Sequence, residues 1–217
     1  MKSLTTIILA GALVLFLIVL GATLLNERRR REAMQRIAAE IGMDYLADDQ
    51  SMLNKDITRF HLFRRGRARR VRNVMMGLVA DLQAYLFDYK YTVGGGRNAR
   101  TFRHTVAAFN VPQRALTGFE LRPESLFHKI GSALGFQDID FPSHPAFSAR
   151  YLLRGEDEGA IRDLFNDDVL RFFEQCPPLC VEAAADWIVI HRPGRRVAPD
   201  DIAGFLEEAF TVCTTLA

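Results

Sequence analysis

The stretch Leu78-Val-Ala-Asp-Leu-Gln-Ala-Tyr-Leu-Phe-Asp-Tyr-Lys-Tyr-Thr-Val93 decides the fold. Side chains alternate across a strand, so Tyr85, Phe87, Tyr89 and Tyr91 share one face while Leu86, Asp88 and Lys90 take the other. Aromatic residues favour a pleated, half-buried surface. The expectation is a strand whose aromatic face supplies half of a core and whose charges face water or pair with a neighbouring strand. A groove with aromatics on one side and an Asp/Lys pair on the other is the sharper reading of the same pattern.

Outward from this strand, Gly94-Gly95-Gly96-Arg97-Asn98 predicts a turn into a partner over residues 101–109, which makes a hairpin. Those glycines also invite a phosphate-loop reading, but no Lys-Ser or Lys-Thr follows and no helix begins there. Upstream, residues 57–63 open a section rich in β-formers, punctuated by Arg65-Gly66, Gly77 and Pro112, and the whole predicts four or five antiparallel strands. Further on, Phe119 and Leu121, Ile139 and Phe141, and residues 147–153 read as strands. Pro123 is expected to open a helix through Leu126, Phe127, Ile130 and Leu134. Residues 157–175 predict a helix with Ile161, Leu164, Phe165, Val169 and Phe172 on one side, stopped by Pro177 and Pro178. Residues 179–183 and 187–191 predict a hairpin around Ala185-Asp186, and Pro199 begins a last helix buried through Ile202, Phe205, Leu206, Ala209, Cys213 and Leu216. The fold class is α+β: an N-terminal transmembrane helix, then one mostly antiparallel sheet with helices on one face.

The transmembrane segment is the run from Leu4 to Leu25, which carries no charged side chain. A hydrocarbon core of about 30 Å takes roughly 20 residues at 1.5 Å rise, so one helix suffices. A cleaved signal peptide would have a shorter core and a small-x-small site, which Gly21 and Ala22 supply poorly. Arg28, Arg29, Arg30, Arg31 and Arg36 lie just past the run and only Lys2 before it, which predicts a single-pass inner-membrane protein with its C-terminal domain in the cytoplasm. Met34, Ile37, Ala38 and Ile41 recur at helical spacing up to Gly42, so the anchor continues into the cytoplasm as one rod. The expected organisation is an anchor over residues 1–26, a basic juxtamembrane helix over 27–45 and an α+β domain over 46–217.

Sixteen Phe and an ordinary charged fraction indicate a packed domain, and a net charge of +2 gives no global field for nucleic acid, so no nucleic-acid partner is expected. Charge is uneven locally: residues 59–72 carry seven arginines and no acid, whereas residues 156–168 carry six acids and only Arg162. Cys176, Cys180 and Cys213 are too few for a disulfide framework.

The order of features resembles an uncharacterised family of bacterial single-pass membrane-anchored proteins. The matching stretches are Ala39-Glu40-Ile41-Gly42-Met43-Asp44-Tyr45, Asn73-Val74-Met75-Met76-Gly77, Phe87-Asp88-Tyr89-Lys90-Tyr91, Phe147-Ser148-Ala149-Arg150-Tyr151, and Val181-Glu182 before Asp186-Trp187. The resemblance implies a similar anchored α+β domain and transfers no activity and no catalytic residue.

Among candidate sites, the strongest is a membrane-surface patch of Arg28, Arg29, Arg30, Arg31, Arg64, Arg65, Arg67, Arg69, Arg70 and Arg72, where each basic residue near an anionic surface contributes about 1 kcal/mol. The competing reading is a strand edge blunted by charge. Cys176, Cys180 and His191 lack zinc-site spacing, so no metal or cofactor is expected. No HExxH or GxSxG occurs, and Asp88 with His104 is the best acid/base pair. The favoured function is non-enzymatic: a membrane-anchored binding or scaffold domain, with the lipid bilayer and a protein as its partners. The alternative is a membrane-tethered enzyme acting on a small molecule or lipid headgroup.

Overall fold

Helix α1 spans Lys2–Glu40, 39 residues without a break, and joins the apolar run to the domain. Its apolar stretch is long enough to cross a membrane and none of it is buried against the rest of the chain. The computed structural model describes residues 2–51, 56–112, 116–124 and 138–216. Gly42, at a φ of 73°, ends the helix in the left-handed region that glycine reaches without strain.

Eight strands form one sheet: β1 (Asp44–Asp48), β2 (Arg67–Val79), β3 (Leu82–Val93), β4 (Arg100–Asn110), β5 (Leu116–Pro123), β6 (Tyr151–Gly155), β7 (Cys180–Ala185) and β8 (Trp187–His191). Their spatial order is β1-β2-β3-β4-β8-β7-β5-β6, and every neighbouring pair is antiparallel. Among the described residues, the α-helices after α1 are α2 (His61–Arg64), α3 (Pro145–Arg150), α4 (Glu158–Leu164), α5 (Asp167–Gln175) and α6 (Ile202–Leu216).

The two faces of the sheet are buried differently. Met34 and Ala38 of α1, together with α3 to α6, pack on the face carrying Ala84, Leu86, Ala107, Phe109, Leu121 and Ile190. The aromatic face of β3 is covered instead by residues 56–64, a 3-10 turn followed by α2. Phe60, Leu62 and Phe63 meet Phe87, Tyr89, Val106 and Val189 there, and the Phe63 and Tyr89 rings lie edge to face at 4.9 Å.

Several elements depart from the sequence expectation. Leu78 to Val93 is interrupted by a two-residue turn at Ala80-Asp81, whose φ values of 45° and 70° match a type I′ hairpin. Residues 57–63 form the cover over the aromatic face rather than a strand, because Leu62 and Phe63 point together into one apolar pocket. The expected strand over 147–153 is α3 followed by β6, and Ile139 and Phe141 are buried outside any strand. The helix over 157–175 breaks at Asn166, whose side chain caps α5 by accepting from the amides of Asp168 and Val169. The helix expected after Pro123 lies outside the described residues.

Phe63 is fully buried, and Phe63→Ala would leave a void between α2 and the sheet. We expect a loss of about 3 to 5 kcal/mol of stability, measured by denaturant unfolding of the full chain in detergent.

Candidate functional site: a basic pocket beside the anchor helix

The site begins with Asp88, which the pleat of β3 places on the face toward α1. Its carboxylate meets the Arg30 guanidinium in two contacts, Nε to Oδ2 at 2.6 Å and Nη2 to Oδ1 at 2.7 Å. Asn73 Nδ2 donates to Oδ2 at 2.9 Å and Thr105 Oγ1 to Oδ1 at 3.1 Å. Arg30 also donates to the carbonyl of Val197 at 2.8 Å. Asn73 sits at an irregularity in β2 with a φ of 51°, a conformation asparagine tolerates, and Tyr45 fixes its amide by donating to Oδ1. Arg30 and Asp88 are 8% and 5% exposed, so this bidentate pair is desolvated and fully hydrogen-bonded.

One turn nearer the apolar run, Glu27 takes both terminal nitrogens of Arg196 at 2.8 and 3.1 Å. That hydrogen bond and the Arg196 charge hold the Glu27 carboxyl below its ordinary range. Beside these pairs lies a pocket of about 190 Å³ lined by Thr23, Leu24, Glu27, Arg70, Arg72, Asp88, Tyr89, Lys90, Arg103 and Arg196. Register explains its character: Arg70 stands opposite Lys90, and Lys90 opposite Arg103, so three cations form a row across β2, β3 and β4. Burial, then the Arg72 and Arg103 charges, push the Lys90 ammonium below its usual range.

The ten arginines proposed from the sequence divide among several environments. Arg28, Arg29 and Arg31 are exposed on α1, with Arg28 bound to Glu32, whereas Arg30 is buried on Asp88. Arg64 and Arg69 donate to the carbonyls of Arg59, Arg64 and Gly66 and so tie the turn before β2. Arg65 reaches the opposite face, its guanidinium 5.6 Å from the centre of the Tyr91 ring. Arg67 is exposed near Gly95, and Arg70 and Arg72 line the pocket. Sequence reading missed Arg103 and Arg196. The Gly94 to Asn98 turn fixes Lys90 opposite Arg103 and could have signalled the first; the second rests on long-range packing.

Asp88 and His104 do not converge. Asp88 faces α1 through its neighbour Thr105, while His104 lies on the aromatic face, stacked on Tyr91 and 4.8 Å from the His191 ring. A small cavity there is lined by Cys180, Glu120, Arg122 and Glu182 as well as the two histidines. Glu182 caps α2 by accepting from the amides of His61 and Leu62, and burial raises its carboxyl to about 7. Burial would raise Glu120 too, but His61 and Arg154 outweigh it and hold that carboxyl at about 2. Burial lowers His104 to about 4 and His191 to about 3, so both rings are neutral near pH 7. Among the described residues, no group of three or more His, Cys, Asp and Glu is placed to hold a metal ion.

The fold and pocket define a class: an eight-stranded antiparallel α+β domain clamped to an apolar helix of membrane-spanning length. No family model matches the chain, and no curated protein does. Among solved structures it is similar to the crystal structure of the mycobacterial trehalose monomycolate transport factor A, TtfA. The match has a TM-score of 0.59 and 14% sequence identity, and covers 87% of this chain and 95% of that one. At that identity the likeness is one of fold.

Two outcomes follow from this geometry. Asp88→Ala strands a buried guanidinium, and we expect a loss of about 3 to 5 kcal/mol; Arg30→Met with Asp88→Leu removes both charges and should cost less, as thermal and denaturant melts will show. The histidines set the second. An unfolded histidine takes a proton near 6.5 while His104 resists until about 4, so their contribution is complete above 6.5 and is lost as pH falls through that window. Glu182 opposes this between 4.5 and about 7, where the folded state keeps its proton. His104→Gln should therefore flatten the acid limb of a stability profile, and a profile unchanged by that substitution would contradict the assignment.

Proposed function

We propose that the protein is a membrane-anchored, non-enzymatic scaffold or binding domain whose basic end rests on an anionic bilayer surface. The observation that carries this reading is the direction of β3 against α1. Asp88 meets Arg30, and two residues on, Lys90 shares a pocket with Thr23, Leu24 and Glu27. The strand therefore climbs toward the apolar run, and its β3–β4 hairpin with Arg97 and Arg100 lies at that end of the sheet. Arg67, Arg70 and Arg103 belong to the same end through their pairing with Thr92, Lys90 and the strand between. Acidic α4 and α5 pack elsewhere, on the helical side of β5 and β6.

In this reading residues 1–26 form the anchor of an inner-membrane, single-pass protein, residues 27–45 the juxtamembrane helix, and residues 46–217 a cytoplasmic domain. The collar Arg28 to Arg31 supports that orientation, since positive flanks stay inside. The similar fold is named a transport factor, which favours an accessory role at a membrane over chemistry. The separation of Asp88 from His104 likewise disfavours the enzyme alternative.

Hydrogen exchange of the full chain in lipid nanodiscs tests docking. We expect slower exchange over the 94–100 hairpin when neutral lipid is replaced by anionic lipid, reversal at high salt, and no change in α4 and α5. Equal exchange in both lipids would refute it.

A further inference from the structure

The row formed by Arg70, Lys90 and Arg103 is costly to the fold. Like charges directly opposite one another on a sheet are destabilising, and here two such pairs share Lys90. The nearby carboxylates are bonded elsewhere: Asp88 to Arg30, Asn73 and Thr105, with Arg196 at 3.7 Å, and Glu27 to Arg196, from where it attracts Lys90 and Arg103 only at longer range. Among the described residues, none of the three cations has an acidic partner at ion-pair distance. An arrangement that weakens the sheet and leaves three cations around a concavity without a bonded counter-ion is what an anion site requires.

The opposite wall of the pocket has different chemistry. Thr23 and Leu24 belong to the last turn of the apolar run, and Leu24 is 62% exposed. The hydroxyl of Thr23 is bonded back to the carbonyl of Val19, so that wall presents carbon. Cations on one side and an apolar helix on the other match an amphiphile that carries phosphate next to acyl chains. A soluble phosphate would have no use for the Leu24 side.

From this we infer that the pocket between α1 and the Arg70–Lys90–Arg103 row binds the phosphate of one anionic phospholipid from the bilayer that holds the anchor. The inference rests on the membrane-anchored reading above and adds to it a saturable, stoichiometric site. Arg70 and Arg103 supply planar guanidinium donors and Lys90 a central point charge, which together suit the tetrahedral oxygens of a phosphodiester. Arg196 stays on Glu27 and forms the floor. Asp88 lines the pocket beside it with its carboxylate turned onto Arg30, and that pair supports the site without binding the phosphate.

Native mass spectrometry of the detergent-purified full chain, titrated with phosphatidylglycerol, phosphatidylcholine, glycerol 3-phosphate or inorganic phosphate, tests the site. One phosphatidylglycerol should bind saturably, and more tightly than the other three. Each lost charge should weaken binding about fivefold, so Lys90→Gln with Arg103→Gln should weaken it ~25-fold. That double variant should melt no lower than the parent, because it removes facing like charges. The control, Arg97→Gln with Arg100→Gln, should keep saturable binding while reducing general attraction to anionic nanodiscs. Equal binding of phosphatidylcholine, equal losses in both double variants, or glycerol 3-phosphate binding as tightly as the lipid would overturn the inference. Failure here with hairpin protection intact would remove the pocket and leave the docking reading standing; lipid binding without hairpin protection would do the reverse.

Discussion

The buried pair of Arg30 and Asp88 is the constraint on which the rest of the structure depends. A guanidinium and a carboxylate withdrawn from water repay their desolvation only with complete hydrogen bonding, and this pair obtains it from Asn73, Thr105 and the Val197 carbonyl. Those partners come from β2, β4 and the loop before α6, so one ion pair gathers four distant parts of the chain around α1. The irregularity that turns Asn73 inward, the hydroxyl of Thr105 that also accepts from the Val197 amide, and the tyrosine that orients Asn73 all serve the same contact. An apolar seam of Met34 and Ala38 then continues the packing.

The two faces of the sheet handle charge in opposite ways. Toward α1, acids and bases are matched tightly at Asp88 and Glu27, and the excess is positive. On the aromatic face, buried Glu182 and half-buried Glu120 sit among histidines and arginines, and each carboxylate is answered by donors from α2 or β6. The second cluster therefore explains how a four-residue helix is held on the sheet, whereas the first leaves cations that the fold itself does not use.

Much of the architecture was legible in the chain. The alternation from Tyr85 to Tyr91, the glycine-rich turn at 94–98, the hairpin at Ala185-Asp186 and the amphipathic last helix all appear at or near the expected positions. Local signals failed where tertiary packing decided. Ala80-Asp81 is a poor type I′ sequence, and only the pairing of β2 with β3 imposes it. The aromatic residues at 60–63 read as strand because burial, not periodicity, makes them a cover. Of the pocket's lining, Arg70, Arg72, Asp88 and Lys90 stood out in the sequence, though not as one group. The decisive fact, that one arginine of the Arg28 to Arg31 run belongs to Asp88, required the register of a helix on a sheet 58 residues away, and no local pattern encodes that.

The clamp also fixes a length. From Leu25 to Arg30 the unbroken helix rises only about 7.5 Å, so no flexible tether separates the domain from the apolar run. In the proposed anchored arrangement, neighbours are chosen by geometry as much as by chemistry: a molecule moving within the membrane would meet the basic end through a two-dimensional search, at a fixed height and angle. The helix acts as a mounting post, and any tilt of the span would reach the sheet undamped.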